Sequence, residues 1–321
     1  MANIPGTAGD DNLIGTSSDD QITGLEGNDI IHGAAGNDLI YGNQGNDTIN
    51  AGAGDAGNDT IFGGQGNDFV GDPGNTGAEL IYGNLGDDVV DGGLGNDTIF
   101  GGQGNDAING QVGDDLIYGN LGDEVIAGGI GFDTLFGGQG NDNIGGGLGN
   151  DIIYGNLGND ILIGVGGNDT VFGGQGHDIL FSDSGDDQDR MFGNLGADIF
   201  DFAASDQTPP GQVVDDAHSD RVADFVTGVD KIALDLSDFV DATPHYTEIS
   251  SGVTTVEQAI TAAGNVLSGH EVIFVAGATD GYLLINATGG VDMGGAPNEF
   301  AIVLQGLNST ASFDASDLSF V

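Results

Sequence analysis

Cysteine and tryptophan are absent from the 321 residues, and only three side chains, Arg190, Arg221 and Lys231, carry a fixed positive charge. With no cysteine there is no disulfide, so the chain can fold in a reducing or an oxidising compartment. No apolar run approaches the length of a membrane-spanning helix. Met1-Ala2-Asn3-Ile4-Pro5 leads directly into polar, glycine-rich sequence, so no cleaved N-terminal signal is expected. Proline is scarce, with 6 residues. Against the three cations stand 51 acidic residues, a formal net charge of -48. All three cations lie after residue 189, so salt bridges to lysine or arginine cannot hold the first part of the chain together. Self-repulsion of this size opposes compaction and argues against nucleic acid or an anionic membrane as a partner. Metal cations are the natural remedy.

What is abundant is glycine, 63 residues, in a chain that is still 38% hydrophobic. That combination does not fit simple disorder. The glycines recur in a frame: from Gly27 the chain reads GNDIIHGAA, GNDLIYGNQ and GNDTIN, then, after insertions around 51–56 and 71–76, GDDVVDGGL, GNDTIFGGQ, GNDAINGQV and GDDLIYGNL. The unit is G-x-D-x-U-x-G-x-x, with U apolar. Glycine, Asn and Asp tolerate left-handed backbone, so G-x-G-N-D predicts a tight turn. The following x-U-x predicts a three-residue strand with U facing inward. Two units close a coil of 18 residues. Stacked at about 4.8 Å, roughly ten coils give a rod on the order of 50 Å long. One coil cannot bury its U residues, but a stack can.

Rotated by three, the unit is the G-G-x-G-x-D-x-U-x nonapeptide, and from residue 6 to 199 the chain resembles the RTX family of calcium-binding repeats. The expected fold is all-β: a parallel β-roll (β-solenoid) over 1–199, with a smaller mixed β/α C-terminal cap over 200–321. Stacking brings turns 18 residues apart together, so Asp142 should approach Asp160, with Glu124 at the matching place in the preceding coil. The expected metal ligands are Asp20, Asp29, Asp38, Asp47, Asp59, Asp68, Asp88, Asp97, Asp106, Asp115, Asp133, Asp142, Asp151, Asp160, Asp169, Asp178 and Asp187. Carboxylates and glycine carbonyls are hard oxygen donors, with no cysteine and no regular histidine, which favours calcium over zinc or copper. The RTX resemblance implies the same ion, and sharing between adjacent turns suggests on the order of 15 ions. Sites are expected to be weaker where Glu79 and Glu124 replace Asp, and where Ala78, Phe132 and His177 replace the preceding Asn or Asp.

A second period runs through the residue after U. Tyr82, Phe100, Tyr118, Phe136, Tyr154 and Phe172 are spaced by 18, and Tyr41, Phe62 and Phe192 extend the row across insertions. This position points opposite to U, so the aromatics should form a ladder on an outer face. Leu80, Thr98, Leu116, Thr134, Ile152 and Thr170 precede U there, and the turns alternate GNL and GGQ, a repeat of 36 residues. Asp91, Asn109, Ala127, Gly145, Ile163 and Phe181, at the equivalent place on the other face, show no pattern. The ladder has three readings: stabilising stacking left by duplication, a surface for self-association or another extracellular protein, or a platform for sugar rings.

After Asp198 glycine thins out and Pro209-Pro210-Gly211 marks a loop. GADIFDFAASDQ and SDRVADFVTGVDKIALDLSDF, between Gly196 and Phe239, resemble the region that follows the repeats in serralysin-type secreted metalloproteases. The ending FDASDLSFV, a carboxylate followed by apolar residues, resembles the uncleaved signals of type I secretion substrates, which implies an extracellular or cell-surface location. Thr254 to Leu267 predicts an amphipathic helix with Thr255 and Gln258 as a capping box. Strands are expected at 271–275, 282–286 and 300–305. The N-terminal stretch from Gly6 to Gly24 keeps only part of the motif and is expected to be a frayed end or an assembly point.

Catalysis is not expected. His270-Glu271 continues as Val-Ile-Phe-Val, not as a zinc-protease helix, no G-x-S-x-G elbow occurs, and no Gly-Lys pair marks a phosphate loop. The expectation is a secreted structural protein, unfolded at low cytosolic calcium and folded by calcium outside the cell. It would build or decorate a matrix, surface layer or filament. The alternative is a calcium-dependent polysaccharide-binding module using the Tyr/Phe ladder.

Overall fold

The computed structural model describes residues 1–52, 56–71, 74–182, 187–202, 220–226, 230–234, 245–250, 271–276, 281–286, 299–304 and 317–320. The chain divides into two compact units, Met1–Asp160 and Ile161–Val321, a division that falls inside the repeats.

In the first unit every second strand joins the same parallel sheet. One sheet contains Thr98–Gln103, Leu116–Leu121, Thr134–Gln139 and Ile152–Leu157; the other contains Val89–Leu94, Ala107–Val112, Val125–Ile130 and Asn143–Leu148. Partners lie one coil apart, Ile99 opposite Ile117 and Val90 opposite Ile108. The insertions lengthen the step without breaking it, so that Leu39 pairs with Thr60 and Thr60 with Leu80. The N-terminal stretch is not frayed: Ala2–Pro5 pairs in parallel with Asp20–Glu26.

Asn12–Ile14, Ile30–His32, Thr48–Asn50 and Phe69–Gly71 have the three residues expected, whereas strands such as Thr98–Gln103 and Leu116–Leu121 run for six. The extra rungs come from the turn itself, since Gly102 pairs with Asn120 and Gln103 with Leu121. Coils in register carry the ladder on into the turn, even through residues in left-handed backbone. Gly102 (φ +122°) alternates there with Asn84 (φ +80°) and Asn120 (φ +82°), which explains the alternating GGQ and GNL turns. Only glycine, and asparagine at small cost, enters that region readily.

The core is a pair of aliphatic columns, Ile81, Ile99, Ile117, Leu135 and Ile153 on one sheet against Val90, Ile108, Ile126 and Ile144 on the other, all buried. β-branched side chains suit this narrow space between pleated strands. Each such burial contributes roughly 1.5–3 kcal/mol.

In the second unit, Ile161–Gly166, Ile179–Ser182, Ile199–Phe202, Lys231–Leu234 and Leu318–Phe320 continue the same alternation in one parallel sheet. The other sheet holds Thr170–Gly176, Arg190–Gly196, Asp220–Val222 and Glu299–Leu304 in parallel, then turns antiparallel through Gly281–Asn286 and Glu271–Ala276. Those last strands fall where the sequence places them. The expected helix over 254–267 lies outside the described residues. Among the described residues there is no α-helix, and no helix long and apolar enough to cross a membrane.

Candidate metal centres

Each G-x-D turn delivers its aspartate to the seam between the two sheets, where the carboxylate does two things. Its Oδ1 accepts the main-chain N–H of the acidic residue one coil earlier. Along one edge Glu79 donates to Asp97, Asp97 to Asp115, Asp115 to Asp133 and Asp133 to Asp151, each at 2.8 Å. Along the other, Asp29 donates to Asp47, Asp47 to Asp68 and Asp68 to Asp88 at 2.8 Å. Farther up that edge Asp88 donates to Asp106, Glu124 to Asp142 and Asp142 to Asp160, each at 2.9 Å. The approach of Asp142 to Asp160 is as the spacing predicts. Asp20 and Asp38 belong to the same columns, since Asp20 donates to Asp38 and Asp38 to Asp59 at 2.7 Å.

The second oxygen is left facing inward. Oδ2 of Asp29, Asp47, Asp68, Asp88, Asp97, Asp106, Asp115, Asp133 and Asp142 is buried and accepts no hydrogen bond among the described residues. The side chains themselves are at most 2% exposed. Burial is the main force pushing Asp68, Asp88 and Asp115 up to about 7 and Asp106 and Asp133 up to about 6. Glu124 rises to about 9, from burial first and the neighbouring Asp142 carboxylate second. Asp20 is the exception: N–H groups of Ala2 and Thr16 hold it below its usual value. Buried carboxylates stacked coil upon coil without a counter-charge must take up either protons or cations.

The space beside them has the donors a cation needs. A Cβ added to Gly92 would lie 2.6 Å from Asp97 Oδ2 and 3.0 Å from the Gly110 carbonyl of the next coil, so the hollow that glycine leaves is walled by oxygens from two coils. Gly101, beside Asp106 Oδ2 and the Gly119 carbonyl, makes the same hollow on the other edge. Among the described residues no three acidic or histidine side chains gather at one point, so any site here combines side-chain and main-chain oxygens. Carboxylate plus carbonyl suits calcium.

Two columns depart from the spacing of nine. Asp187 is not in the buried column. The added residues near 183–186 shift the register, and Asp189 takes its place, buried and accepting the Asp169 N–H at 2.9 Å. Asp187 instead accepts the Gly167 N–H at 3.0 Å from a half-buried position. The other column extends past the repeats: Asp178 donates to Asp198 at 3.0 Å and Asp198 to Asp230 at 3.1 Å. Asp198 and Asp230 were legible in Gly196-Ala197-Asp198-Ile199-Phe200 and Gly228-Val229-Asp230-Lys231-Ile232, both of which keep G-x-D-x-U.

Outside the aspartates runs a second, exposed ladder made by the residue before each of them. Asn105 N–H donates to Asp87 at 2.8 Å, Asp123 to Asn105 at 2.9 Å and Asn141 to Asp123 at 2.7 Å. His177 fills the same role, its Nδ1 accepting the Ala197 N–H at 3.0 Å.

The aromatics after U stack as a continuous column in the first unit. Tyr41, Phe62, Tyr82, Phe100, Tyr118, Phe136 and Tyr154 have successive ring centroids 4.8–5.0 Å apart and planes within 7°. The strand spacing sets this distance. Phe172 stacks on Phe192 at 4.6 Å in the second unit. Beside the half-buried rings of Tyr82, Phe100, Tyr118 and Phe136 lies an open groove of about 890 Å³, lined also by Asn84, Gln103, Asn120, Gln139, Leu121 and Leu157 from the same sheet. A second apolar strip, Leu94, Val112, Ile130 and Leu148, lies on the other sheet and is 38–58% exposed. Its spacing of 18 was visible in the sequence but not singled out there.

Residues 5–40, 24–55, 32–70, 73–108, 100–135, 118–153 and 154–189 match the RTX calcium-binding nonapeptide repeat. Among solved structures, the solution structure of the AlgE6R3 subunit from the Azotobacter vinelandii mannuronan C5-epimerase is similar, with 24% sequence identity over 58% of this chain and 76% of that one and a TM-score of 0.28. No curated protein matches the sequence significantly.

Proposed function

Because the chain belongs to the family of RTX calcium-binding repeat proteins, we propose that calcium occupies the hollows beside the aspartate columns and that its arrival outside the cell folds the repeats. The observation that carries this is the run of buried carboxylate oxygens with no hydrogen-bond partner among the described residues, facing glycine hollows walled by carbonyls of the next coil. When bound, the ion supplies the positive charge that three basic side chains cannot. The protein does the rest: Oδ1 of each aspartate ties its coil to the one before, and Oδ2 faces the ion. Since each hollow is walled by two coils, binding and stacking are one event, so folding free energy is binding free energy. Export unfolded by type I secretion, suggested by the C-terminal resemblance, agrees with a fold that waits for millimolar calcium.

The duty of the folded protein is structural and not catalytic: it assembles into, or decorates, an extracellular matrix, surface layer or filament. The stacked aromatic column and the exposed Leu94–Leu148 strip favour this, because each is a row of apolar side chains repeated along one sheet, the kind of surface that marks an interaction site. The test is negative-stain electron microscopy with and without millimolar calcium, on the parent chain and on one with Tyr118, Phe136 and Tyr154 changed to Ser. Filaments or sheets that require both calcium and the rings support assembly. Isolated particles in every condition refute it. The second reading, polysaccharide binding, rests on the groove, which the stacked rings line together with Asn and Gln side chains. It predicts isolated particles and glycan binding lost in the same triple variant.

A further inference from the structure

The aspartate column on one edge is interrupted at the rung between Asp59 and Glu79. Asn75 enters with the insertion after Gly71 and is fully buried, at 0% exposure, beside Asp59 and Glu79, each 2% exposed. The Gly95 position packs on the Gly77 carbonyl as Gly113 packs on that of Gly95, and the Leu94 N–H donates to the Asn75 carbonyl at 2.9 Å. Asn75 therefore stands where the next coils carry Gly93, Gln111, Gly129 and Gly147. There its side chain turns inward. Nδ2 donates to the Gly57 carbonyl and to Glu79 Oε1, both at 3.0 Å, and lies 3.5 Å from Asp59 Oδ2. Oδ1 accepts the Gly77 N–H at 2.9 Å, which fixes the orientation of the amide.

We propose that the Asn75 amide, and not a cation, fills the rung between Asp59 and Glu79, so that this coil closes without metal. The inference rests on the reading that calcium fills the neighbouring rungs. A glycine carbonyl and carboxylates from two successive coils are the donors that a calcium ion between those coils would require. At Asp97, Asp115 and Asp133 on the same edge, Oδ2 meets no hydrogen-bond donor among the described residues. At the Asn75 rung the amide's two hydrogens are spent on two of these oxygens. Calcium would need the same oxygens at about 2.3–2.6 Å. Nitrogen already sits among them at 3.0 Å, so amide and ion exclude one another. Glu79, one methylene longer than the usual aspartate, reaches the amide. The N-terminal end uses a related device, with Thr16 N–H at 2.6 Å and Oγ1 at 2.8 Å both on Asp20 Oδ2. The coil that holds Asn75 is thus a seam where the amide keeps Glu79 and the Gly57 carbonyl hydrogen-bonded when calcium is withdrawn.

The test is native mass spectrometry of the full chain at saturating calcium, comparing the parent with Asn75→Gly, which restores the glycine of later coils, and Asn75→Asp, which keeps the shape and supplies a ligand. Each variant is expected to bind one calcium more than the parent. Equal counts in parent and both variants overturn the inference while leaving calcium binding intact. A failure of both variants to fold in calcium also overturns it, because an ion should replace the amide. A parent that binds no calcium at all refutes the calcium reading itself and this inference with it.

Discussion

Acid should replace calcium. Asp68, Asp88 and Asp115 are pushed by burial from an ordinary value of 3.8 to about 7. A carboxyl whose pKa is higher folded than unfolded holds its proton more tightly in the folded state. Its stabilising effect grows as pH falls through the folded value and is complete near the unfolded one, so metal-free stability decreases as pH rises from about 4 to 7. Between pH 8 and pH 5 each of these three groups shifts the balance toward the fold by about 3 kcal/mol, at 1.36 kcal/mol per pKa unit. Asp68 and Asp88 act on one another, so the effects do not simply add, yet even one of them is a sizeable part of the whole stability of a domain. The assay is far-UV circular dichroism of the chain in excess chelator, stepped from pH 8 to pH 5. The expected result is unfolded repeats at pH 8 and a recovered β signal at pH 5. A chelated chain that is folded at pH 8 and unfolds on acidification would show that the buried carboxylates are not what calcium neutralises.

Four further outcomes can be checked separately. Gly92→Ala places a methyl 2.6 Å from Asp97 Oδ2 and 3.0 Å from the Gly110 carbonyl, so it should raise the calcium midpoint of folding and remove one bound ion by native mass spectrometry. Phe136→Ser removes two ring stacks at 4.8 Å and should lower stability in calcium by about 1–3 kcal/mol in urea titration, at roughly 0.5–1.5 kcal/mol per stack. Both carboxylate oxygens of Glu124 are buried without a hydrogen-bond partner among the described residues, and Glu124→Asp should let the shorter side chain accept the Asp106 N–H as its counterparts do. The gain should be about 1 kcal/mol in the same titration. Asp189→Ala should cost more calcium affinity than Asp187→Ala, because only Asp189 stands in the buried column.

The parts of this structure that depend on strict repetition are the parts the sequence makes legible. Asp97, Asp115 and Asp133 fall in a column, Ile99, Ile117 and Leu135 in a core, and Tyr118, Phe136 and Tyr154 in a stack, because parallel coils in register turn a spacing of 18 into adjacency. What was not legible lies where repetition fails. Counting by nine points to Asp187 and misses Asp189, since an insertion changes the count without changing the stacking. Asp230 keeps the local G-x-D-x-U signal, but its place in the column, 32 residues beyond Asp198, follows from no period. Strand length escaped for a different reason: turn residues such as Gly102 and Asn120 look like loop, and become ladder only when another coil lies beneath them. Asn75 shows the limit most clearly. In an inserted loop it reads as a turn residue, and only the fold shows its amide among carboxylates.

The most direct measurement is a calcium titration of the full chain at neutral pH, followed by far-UV circular dichroism and reversed with excess chelator. The account predicts a cooperative transition to a β spectrum as calcium rises and its loss on chelation, because each site is complete only between stacked coils. A β spectrum unchanged by excess chelator at neutral pH would contradict the claim that calcium folds this protein.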